Sequence, residues 1–438
     1  MIDYALASKF EQDSVKKRLY VTYDGGQFTN ENIYQESLKI EESITNETQL
    51  IFGKCESNKF SFTFRNDGTD SLIGQKITAT MELDGDTENP FTIGTYKIYT
   101  DTLSRDRRKR DVVAYDALYD VLNANVIEWF RGLTFPITLK KFRDSFFEYF
   151  GIEQEEVTLV NDNMLIYNSQ EEEEELSGRD VVNAICEING AFGHIGRNNK
   201  FKYIFLGTAY EGFYPSENTF PGETLFPGAF GSDVEISRSI YKELFYETYQ
   251  SRSIDVLEIR TESGALGASA GSSTYNARSL TVPNVYRVQN TLLTYGQSAE
   301  EMQTMANNML SVIEKVSYIP AEADLKGNPC HEVGDIVTFV ANDGSTVQTY
   351  ILSRSLSGIQ ALKDNYVADG VETYDIQINK VDTSISTLKA RTYDLSRRVR
   401  TIEQTGSKLN VLSVPFLTPE QADTYDVIFL VQGTVVVE

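Results

Sequence analysis

The stretch SNKFSFTFRNDG, residues 57–68, alternates apolar and polar side chains, and this alternation constrains the fold more than any other feature. Successive side chains of a strand point to opposite faces of a sheet, so Phe60, Phe62 and Phe64 share one face. The pattern predicts a strand that buries that face. Further strand patterns occupy residues 17–29 and continue beyond the phenylalanines to about residue 104. The N-terminal part of the chain is therefore predicted to be a β region.

A second β pattern between residues 327 and about 379 repeats features of the first in the same order. The identities are few, so the sequence alone leaves open both a duplicated β module and a coincidence. The matching features are GQKITATMELDG (74–85) with GDIVTFVANDG (334–344), Thr95-Tyr96 with Thr349-Tyr350, Leu103-Ser104 with Leu356-Ser357, and Ala114-Tyr115-Asp116 with Ala368-Asp369.

Between the two β regions the periodicity changes to that of helices. Residues 116–130 and 138–151 place apolar side chains at helical spacing, and Gly151 stands where a helix C-cap is expected. Ser177 resembles the N-cap of a further helix that runs to Gly190. This part of the chain is predicted to be mixed α/β. The apolar residues that define the three helices are Leu118, Val121, Leu122 and Trp129, then Leu139, Phe142, Phe146 and Tyr149, and finally Val182, Ile185 and Cys186.

Three more segments precede the second β pattern. Residues 194–205 predict a hairpin that turns at Gly196–Asn199. SGALGASAGSS, residues 263–273, has little to bury and predicts a flexible loop. Residues 299–315 predict a helix whose Met-rich face packs in a core. That face consists of Met302, Met305, Ala306, Met309, Leu310 and Ile313.

The C-terminal part has the periodicity of a coiled coil. From residue 378 to residue 405, apolar side chains step by three and four, as the a and d positions of heptads do. The narrow apolar stripe favours self-association over packing on the chain's own domain. Residues 406–438 predict a small β unit. The predicted oligomerisation residues are Ile378, Ile385, Thr392 and Val399 at a, and Val381, Leu388, Leu395 and Ile402 at d.

Charge and cysteine content exclude several classes of protein. The net charge is −24, which disfavours binding to nucleic acid and to anionic lipid. Three cysteines, Cys55, Cys186 and Cys330, give no disulfide framework and indicate synthesis in a reducing compartment. No signal peptide is expected at the N-terminus, and no apolar run reaches the roughly 18 residues of a membrane span.

The candidate catalytic and metal-binding residues have structural interpretations. Cys330, His331 and Glu332 are neighbours in a segment expected to be extended, so they cannot converge on one substrate atom, and Cys330 is expected to be half-buried. His194 lies in an alternating strand, and no Cys or His pair has metal-ligand spacing. The acidic run 171–175 lacks the interleaved glycine of a calcium loop and predicts a solvated loop. No catalytic, metal or cofactor site is expected.

The basic cluster RDRRKRD, residues 105–111, falls where a turn is expected. Two interpretations remain open for it. It could contact an acidic partner surface or a phosphate, or it could be a solvated turn.

One run of features is shared with a known family. The features are Ile33, Glu36-Ser37-Leu38, Phe52-Gly53 and Phe62–Phe64, followed later by Gly327-Asn328-Pro329, Gly334-Asp335 and Ser357-Gly358. In this order they resemble tail hub proteins of long-tailed phages and prophages of Gram-positive hosts, the gp27-like N-terminal structural region of tail-associated lysins. The resemblance extends over most of the chain that precedes the predicted coiled coil, and no catalytic signature accompanies it.

The resemblance implies a mixed β and α+β multidomain fold, in which two tube-protein-like β-barrels flank a mixed α/β middle region and a trimeric coiled coil follows. It implies a structural virion protein, a homotrimeric hub at the distal end of the tail tube that adapts a sixfold tube to a threefold tip. The hub would close the channel, open for DNA passage and anchor tip or fibre proteins. Its implied partners are further copies of itself, a distal tail protein or the tail tube, a tape measure protein and receptor-binding or fibre proteins. DNA would pass without specific binding, and the protein would reach the virion tail tip after assembly in the host cytoplasm.

Pattern and resemblance together predict the domain limits. Many relatives continue into a lytic domain, but this sequence ends soon after the predicted coil, so cell-wall cleavage is not expected of it. Two alternatives stay open: a tail-tip lysin or cell-wall hydrolase, and a receptor-binding fibre or adhesin that acts through the C-terminal segment. The predicted domains are a first β-barrel (1–116), a mixed α/β middle domain (117–262), a flexible loop (263–273), a strand-helix segment (274–326), a second β-barrel module (327–377), a coiled coil (378–405) and a C-terminal β unit (406–438).

Overall fold

The computed structural model describes residues 4–45, 49–68, 70–168, 175–207, 233–261, 265–272, 283–290, 292–341 and 343–373. They all belong to the first of two units into which the chain divides, Met1–Thr387 and Leu388–Glu438. The predicted coiled coil and C-terminal β unit, and the acidic run except Glu175, lie outside the described residues.

The N-terminal β region forms where the sequence alternates. Its elements are α1 (Tyr4–Phe10), β1 (Lys17–Tyr23), β2 (Gly26–Thr29), a short 3-10 helix (Gln35–Ser37), β3 (Lys39–Ser43), β4 (Lys59–Arg65), β5 (Lys76–Leu83), β6 (Phe91–Leu103) and β7 (Lys109–Tyr115). Phe60, Phe62 and Phe64 are buried on one face of β4, which confirms the prediction from their alternation. They pack in a core with residues of β1 and β5.

The middle region is mixed α/β, as predicted. Its elements are α2 (Leu118–Leu122), α3 (Ile127–Arg131), β8 (Ile137–Thr138), α4 (Leu139–Phe150), β9 (Leu165–Ile166), α5 (Gly178–Glu187), β10 (Phe192–Ile195) and β11 (Phe201–Ile204). Thr138 caps α4 by accepting a hydrogen bond from the Lys141 N–H, and Gly151 ends the helix with a φ of 66°. Ser177 caps α5, and β10 and β11 form the predicted hairpin.

One predicted helix is divided in two. The helical pattern of residues 116–130 forms α2 and α3, because the chain between them pairs with the segment that leads into α5. The Gly178 N–H donates to the Ala124 carbonyl, and Asn125 forms a β-bridge with Ser177. Backbone groups engaged in that bridge cannot also continue a helical hydrogen-bond ladder.

Two smaller differences concern helix ends and faces. α5 ends at Glu187, before the predicted end at Gly190, whose φ of 67° is left-handed. Tyr149, predicted on the apolar face of α4, is exposed. The other apolar residues named for the three helices are buried.

The remaining described elements complete a second β region and its helix. They are β12 (Asp233–Ile236), β13 (Tyr241–Tyr246), β14 (Val256–Arg260), β15 (Leu266–Gly271), β16 (Val285–Arg287), α6 (Ala299–Ile313), β17 (Ala321–Lys326), β18 (Ile336–Val340), β19 (Thr346–Tyr350), β20 (Ser353–Ser357) and β21 (Lys363–Ala368). All six apolar residues predicted for the face of α6 are buried. Ser298 and Glu301 form a capping box at its start.

Residues 263–273 contain a strand where the sequence predicted a flexible loop. β15 pairs antiparallel with β14, and its alternate residues Ala268 and Ala270 are buried. A Cβ atom at Gly267 would lie 2.7 Å from the Met302 sulfur of α6. The helix approaches the strand so closely that small side chains are required there, so the composition that suggested flexibility serves packing instead.

One eleven-stranded sheet joins the two β regions, in the order β13-β17-β21-β20-β3-β4-β7-β6-β5-β1-β2. The sheet has two edge strands, β13 and β2, so it is open within the described residues, and the closed barrels expected from the resemblance are not observed there. The strands β18 and β19 form a separate sheet with β12. β3 and β20, which are neighbours in the large sheet, are called the junction strands below.

The two β regions share one strand order. In the first strand series, β3, β4, β7, β6 and β5 are consecutive neighbours. In the second strand series, β13, β17 and β21 correspond to β3, β4 and β7. The strands β20 and β19 together correspond to β6, and β18 corresponds to β5. The long strand β6 has a register shift between Ile98 and Thr100, and the second series breaks at the corresponding place, between β19 and β20.

The registers of the two series also correspond. The pair Phe60–Ala114 of the first series corresponds to Ala321–Ala368 of the second. In the same way, Thr100–Val113 corresponds to Ser353–Val367, and Lys76–Lys97 corresponds to Ile336–Tyr350. Leu103 and Leu356 are therefore equivalent, as the sequence suggested, and so are Ala114 and Ala368. The match of Thr95-Tyr96 with Thr349-Tyr350 is wrong by one residue, because Lys97 takes the place of Tyr350.

Candidate functional site: a buried charge cluster and two strand edges

The segment Cys330-His331-Glu332 forms a turn before β18, not the extended stretch expected from the sequence. The His331 N–H donates to the Asn328 carbonyl, and the Cys330 N–H donates to Asn328 Oδ1. Cys330 is buried, not half-buried, in the apolar core of the N-terminal β region. Since the other two side chains enter polar surroundings, the three do not form a nucleophile, base and acid.

His331 is held by a tyrosine and two arginines. Its Nδ1 lies 2.6 Å from the Tyr366 hydroxyl oxygen, and its carbonyl accepts hydrogen bonds from Arg197 and Arg354. Burial lowers the pKa of His331 to about 3, and the charges of Arg354 and Arg197 act in the same direction. The imidazole is therefore neutral at physiological pH and too weak a base for efficient proton transfer there.

Glu332 forms ion pairs with Arg197 and Lys202. Arg197 lies in the turn of the β10–β11 hairpin and Lys202 lies in β11, so the cluster ties the middle region to the second strand series. Burial acts to raise the pKa of Glu332, but the two cations outweigh it and hold this pKa below its ordinary value. An ionised, doubly paired carboxylate is a structural anchor and not a proton donor.

His194 is buried in β10, and its Nε2 lies 3.5 Å from Asn58 Nδ2. Burial, followed by the charge of Lys202, lowers the pKa of His194 to about 3. Within the residues that the structure describes, no group of three or more His, Cys, Asp and Glu side chains could hold a metal ion.

Each strand series contains a buried ion pair that the sequence reasoning missed. In the first series, Arg110 donates to both oxygens of Asp101, at 2.8 and 2.7 Å. In the second, Arg354 pairs with Asp364. Asp101 and Arg354 are equivalent positions, as are Arg110 and Asp364, so the pair is kept with its charges exchanged. The sequence contained a signal for this. One member of each pair, Asp101 or Arg354, stands two residues before a matched Leu-Ser, and the other member, Arg110 or Asp364, stands four residues before a matched alanine.

The second of these pairs reaches across the junction strands. Arg354 on β20 lies 3.6 Å from a carboxylate oxygen of Glu42, which stands opposite it on β3. Arg354 also donates to the carbonyl of Asn328, at 3.1 Å. A single buried guanidinium thus connects the second series, the turn before β18 and the first series.

The basic cluster forms the exposed turn between β6 and β7. Arg105, Arg107 and Arg108 form no ion pair within the described part of the chain. Asp106 accepts a hydrogen bond from the Arg108 N–H at 3.1 Å and so belongs to the turn itself. The turn is a positively charged projection beside the end of β6.

The predicted oligomerisation residues, from Ile378 to Ile402, lie outside the described residues and remain a prediction. Among the described helices, none is both long and apolar enough to cross a lipid bilayer.

Comparison with known proteins gives similarity to solved phage tail proteins. No family model and no curated protein matches the chain. A 43 kDa tail protein of prophage MuSo2 from Shewanella oneidensis is 13% identical with a TM-score of 0.48, covering 80% of this chain and 98% of its own. A tail protein from Neisseria meningitidis is 10% identical with a TM-score of 0.45, over 82% and 99%. Prophage tail protein gp18 from Listeria monocytogenes is 11% identical with a TM-score of 0.43, over 85% and 99%. Scores of this size do not establish a common fold or function.

Proposed function

We propose that this chain is a structural component of a phage tail tip, a homotrimeric hub that caps the distal end of the tail tube. The observation that carries the proposal is the repetition of one strand order and register within a single chain. Three chains that each contribute two equivalent series offer six similar surfaces around a threefold axis. This is the geometry that an adaptor between a sixfold tube and a threefold tip requires.

The fixed connection between the two series supports a structural role. The junction strands pair antiparallel from Lys39 to Ser43. The turn after β20 adds a polar clasp, in which Gln360 donates to the Val15 carbonyl at 2.9 Å and accepts from the Lys17 N–H at 3.0 Å. Together with the pair of Arg354 and Glu42, these contacts hold both series as one body, as a load-carrying ring element needs.

The finer parts of the proposal rest on the sequence. The heptads from Ile378 to Ile402 would form a parallel three-stranded coil on the axis. The middle region would close the channel, and the hub would meet a distal tail protein or the tube, a tape measure protein and receptor-binding or fibre proteins. The net charge of −24 would let DNA pass without being held. The family resemblance would place the host among Gram-positive bacteria.

The cluster around Glu332 lacks the chemistry of a hydrolytic site. A hydrolytic site requires a group that can exchange a proton near neutral pH. Glu332 is ionised and paired, and burial keeps His331 neutral. Clearing of a cell-wall suspension by the purified chain would contradict the structural proposal and support the lysin.

The mass of the purified chain in solution tests the proposal most directly. Light scattering is expected to give three copies, and a monomer at every concentration would contradict the hub. Virions that lack residues 407–438 separate the hub from the adhesin. Intact particles that no longer adsorb to cells would assign the C-terminal segment to receptor binding.

A further inference from the structure

We propose that β13 of one copy of this chain pairs antiparallel with the outer edge of β6 in a neighbouring copy. This pairing would reproduce between chains the contact that the junction strands make within one chain. The number of copies rests on the proposed trimeric function, whereas the pairing itself follows from the equivalence of the two strand series.

The two edges are unoccupied positions of the same repeating pattern. In the second series, β20 has β21 on one side and β3 on the other. Its equivalent in the first series, residues 100–103 of β6, has β7 on one side, but β5 pairs only with the earlier part of β6, from Phe91 to Lys97. β13, the equivalent of β3, is an edge strand that pairs with β17 alone within the part of the chain that the structure describes. The segment before β5 extends along the β5 side of β6 as far as Ile98, which exchanges backbone hydrogen bonds with Gly74 and Gln75, and the Leu72 N–H donates to the Asp101 side chain. No strand among the described residues covers residues 102–103 of β6 or the outer edge of β13.

The backbone polarity of the β6 edge suits a further strand. The Ser104 N–H donates to the Lys109 carbonyl, so residue 104 directs its hydrogen-bonding groups towards the β7 side. Because this direction alternates along an antiparallel strand, the N–H and C=O groups of Leu103 point away from β7. An unpaired edge of this kind is a template for strand addition.

The β13 edge has the complementary polarity. The Glu247 N–H donates to the Pro320 carbonyl on the β17 side. By the same alternation, the N–H and C=O groups of Tyr246 point to the free edge. The register of the junction strands, transferred to the equivalent residues, sets Tyr246 opposite Leu103 and Glu247 opposite Thr102. Leu103 and Tyr246 would then exchange two backbone hydrogen bonds.

The side chains at these positions point to the same pairing. Within the chain, Leu356 and Ile40 face each other across the junction strands and are only 3% and 2% exposed. Their equivalents Leu103 and Tyr246 are 42% and 44% exposed, and Phe245 beside them is 64% exposed. Leu103 and Tyr246 thus occupy the positions of a buried pair, but each lies exposed on a free edge. Their exposure is explained if one edge covers the other in the assembly.

Charge complementarity adds to the apolar match. The transferred register continues from the end of β6 into the basic turn at residues 105–108, which would lie beside β13 and β17 of the neighbouring copy. Those strands and their continuation carry the exposed acidic residues Glu243, Glu247, Glu322 and Asp324. Of the two interpretations that the sequence left open for the basic cluster, this pairing favours contact with an acidic partner surface.

Disulfide trapping tests the register. Thr102 and Glu247 correspond to Ser355 and Glu41, a pair without mutual backbone hydrogen bonds, where Cα atoms of antiparallel strands lie about 4.5 Å apart. That separation permits a disulfide. The full chain with Thr102→Cys and Glu247→Cys, oxidised with oxidised glutathione, is expected to give covalent dimers and trimers on a non-reducing gel. The native cysteines are buried and free, so the unsubstituted chain should give none.

A matched control shifts one cysteine by two residues. Thr100→Cys with Glu247→Cys keeps the chemistry and exposure but separates the Cα atoms to about 7–8 Å, too far for a disulfide. Tyr246→Pro added to the trapping pair removes the N–H that faces the free edge and leaves the β17 ladder intact, so cross-linking should fall at least tenfold. Equal cross-linking in the shifted control would overturn the register.

Light scattering on the same samples separates this inference from the proposed function. A trimer that forms no cross-link would overturn the strand pairing and leave the hub standing. Cross-linked chains that grow beyond three copies would support the pairing and contradict the closed ring. A monomer without cross-links would overturn both.

Discussion

Replacing Glu332 by glutamine should weaken the connection between the middle region and the second strand series. The substitution keeps the shape of the side chain and removes its charge. Arg197 and Lys202 then remain close together without a carboxylate between them. Because both cations belong to the β10–β11 hairpin, the loss falls on the contact between that hairpin and the turn before β18.

The magnitude follows from the burial of the cluster. Removing one partner of a fully buried ion pair costs about 3–5 kcal/mol, because the other charge stays buried and uncompensated. The side chain of Glu332 is 26% exposed and that of Arg197 is 18% exposed, so water relieves part of this cost. We expect the free energy of unfolding to fall by about 2–3 kcal/mol.

Urea unfolding measures the change, with two probes that must agree before one free energy is assigned. The single tryptophan, Trp129, reports on the middle region, and far-UV circular dichroism reports on the sheets. Glu153→Gln is the matched control, since Glu153 pairs with Lys200 of the same hairpin but is exposed to solvent. The control should leave the urea midpoint unchanged.

The pH dependence gives a second check with a defined sign. The pKa of Glu332 is lowered in the folded protein, so its contribution to stability is present above its unfolded pKa, about 4.3, and is lost as the pH falls towards the folded pKa. The difference between wild type and Glu332→Gln should therefore shrink below about pH 4. If Glu332→Gln and Glu153→Gln unfold at the same urea concentration as the wild type at pH 7, the cluster does not anchor the two regions.

Four further measurements test other parts of the fold. Asp101→Asn should cost about 3 kcal/mol in urea unfolding, and adding Arg110→Gln should cost less than the sum of the single changes, because no unpaired charge then remains. Burial raises the pKa of Asp116 to about 7, so its contribution to stability is present below about pH 4 and lost as the pH rises through 7; Asp116→Asn should flatten the melting temperature between pH 5 and 8. Ser298→Ala should cost about 1 kcal/mol through loss of the cap of α6, measured by thermal unfolding. Met309→Ala should cost about 2–5 kcal/mol in the same assay, because Met309 is fully buried.

Features that depend on a few neighbouring residues could be predicted from the sequence. The alternation of Phe60, Phe62 and Phe64, the apolar face of α6 and the caps Gly151 and Ser177 each require only a local periodicity or a local hydrogen bond. The structure retains all of them.

Features that depend on distant partners could not be predicted from the sequence. Residues 263–273 are a strand because β14 and α6 provide a ladder and a close surface for small side chains, and neither partner is visible in the segment itself. The helical pattern of residues 116–130 breaks because Ser177 and Gly178 compete for its backbone. Local propensity was overridden by tertiary pairing in both cases.

The charge cluster also depended on distant partners. The expectation for Cys330, His331 and Glu332 rested on an extended conformation, and the structure has a turn there, so their adjacency alone did not predict their surroundings. The contacts of Glu332 with Arg197 and Lys202 were not predictable either, because these residues lie 135 and 130 positions before Glu332 in the sequence. Clusters of this kind depend on how regions pack, and sequence spacing carries no information on it.

The exchanged charges of the two ion pairs bear on how copies would be arranged in a ring. Glu42 of β3 stands opposite Arg354 of β20. If β3 instead met the equivalent edge of β6 in another copy, Glu42 would stand opposite Asp101, and two carboxylates would face each other across antiparallel strands. In the pairing proposed here, β13 places the neutral Thr248 at that position. Pairing between the first series of two different copies is thereby disfavoured. Pairing between the first series of one copy and the second series of another is permitted. A ring built under this restriction alternates the two series, so a single chain that carries both can close with threefold symmetry, whereas six copies of one series could not.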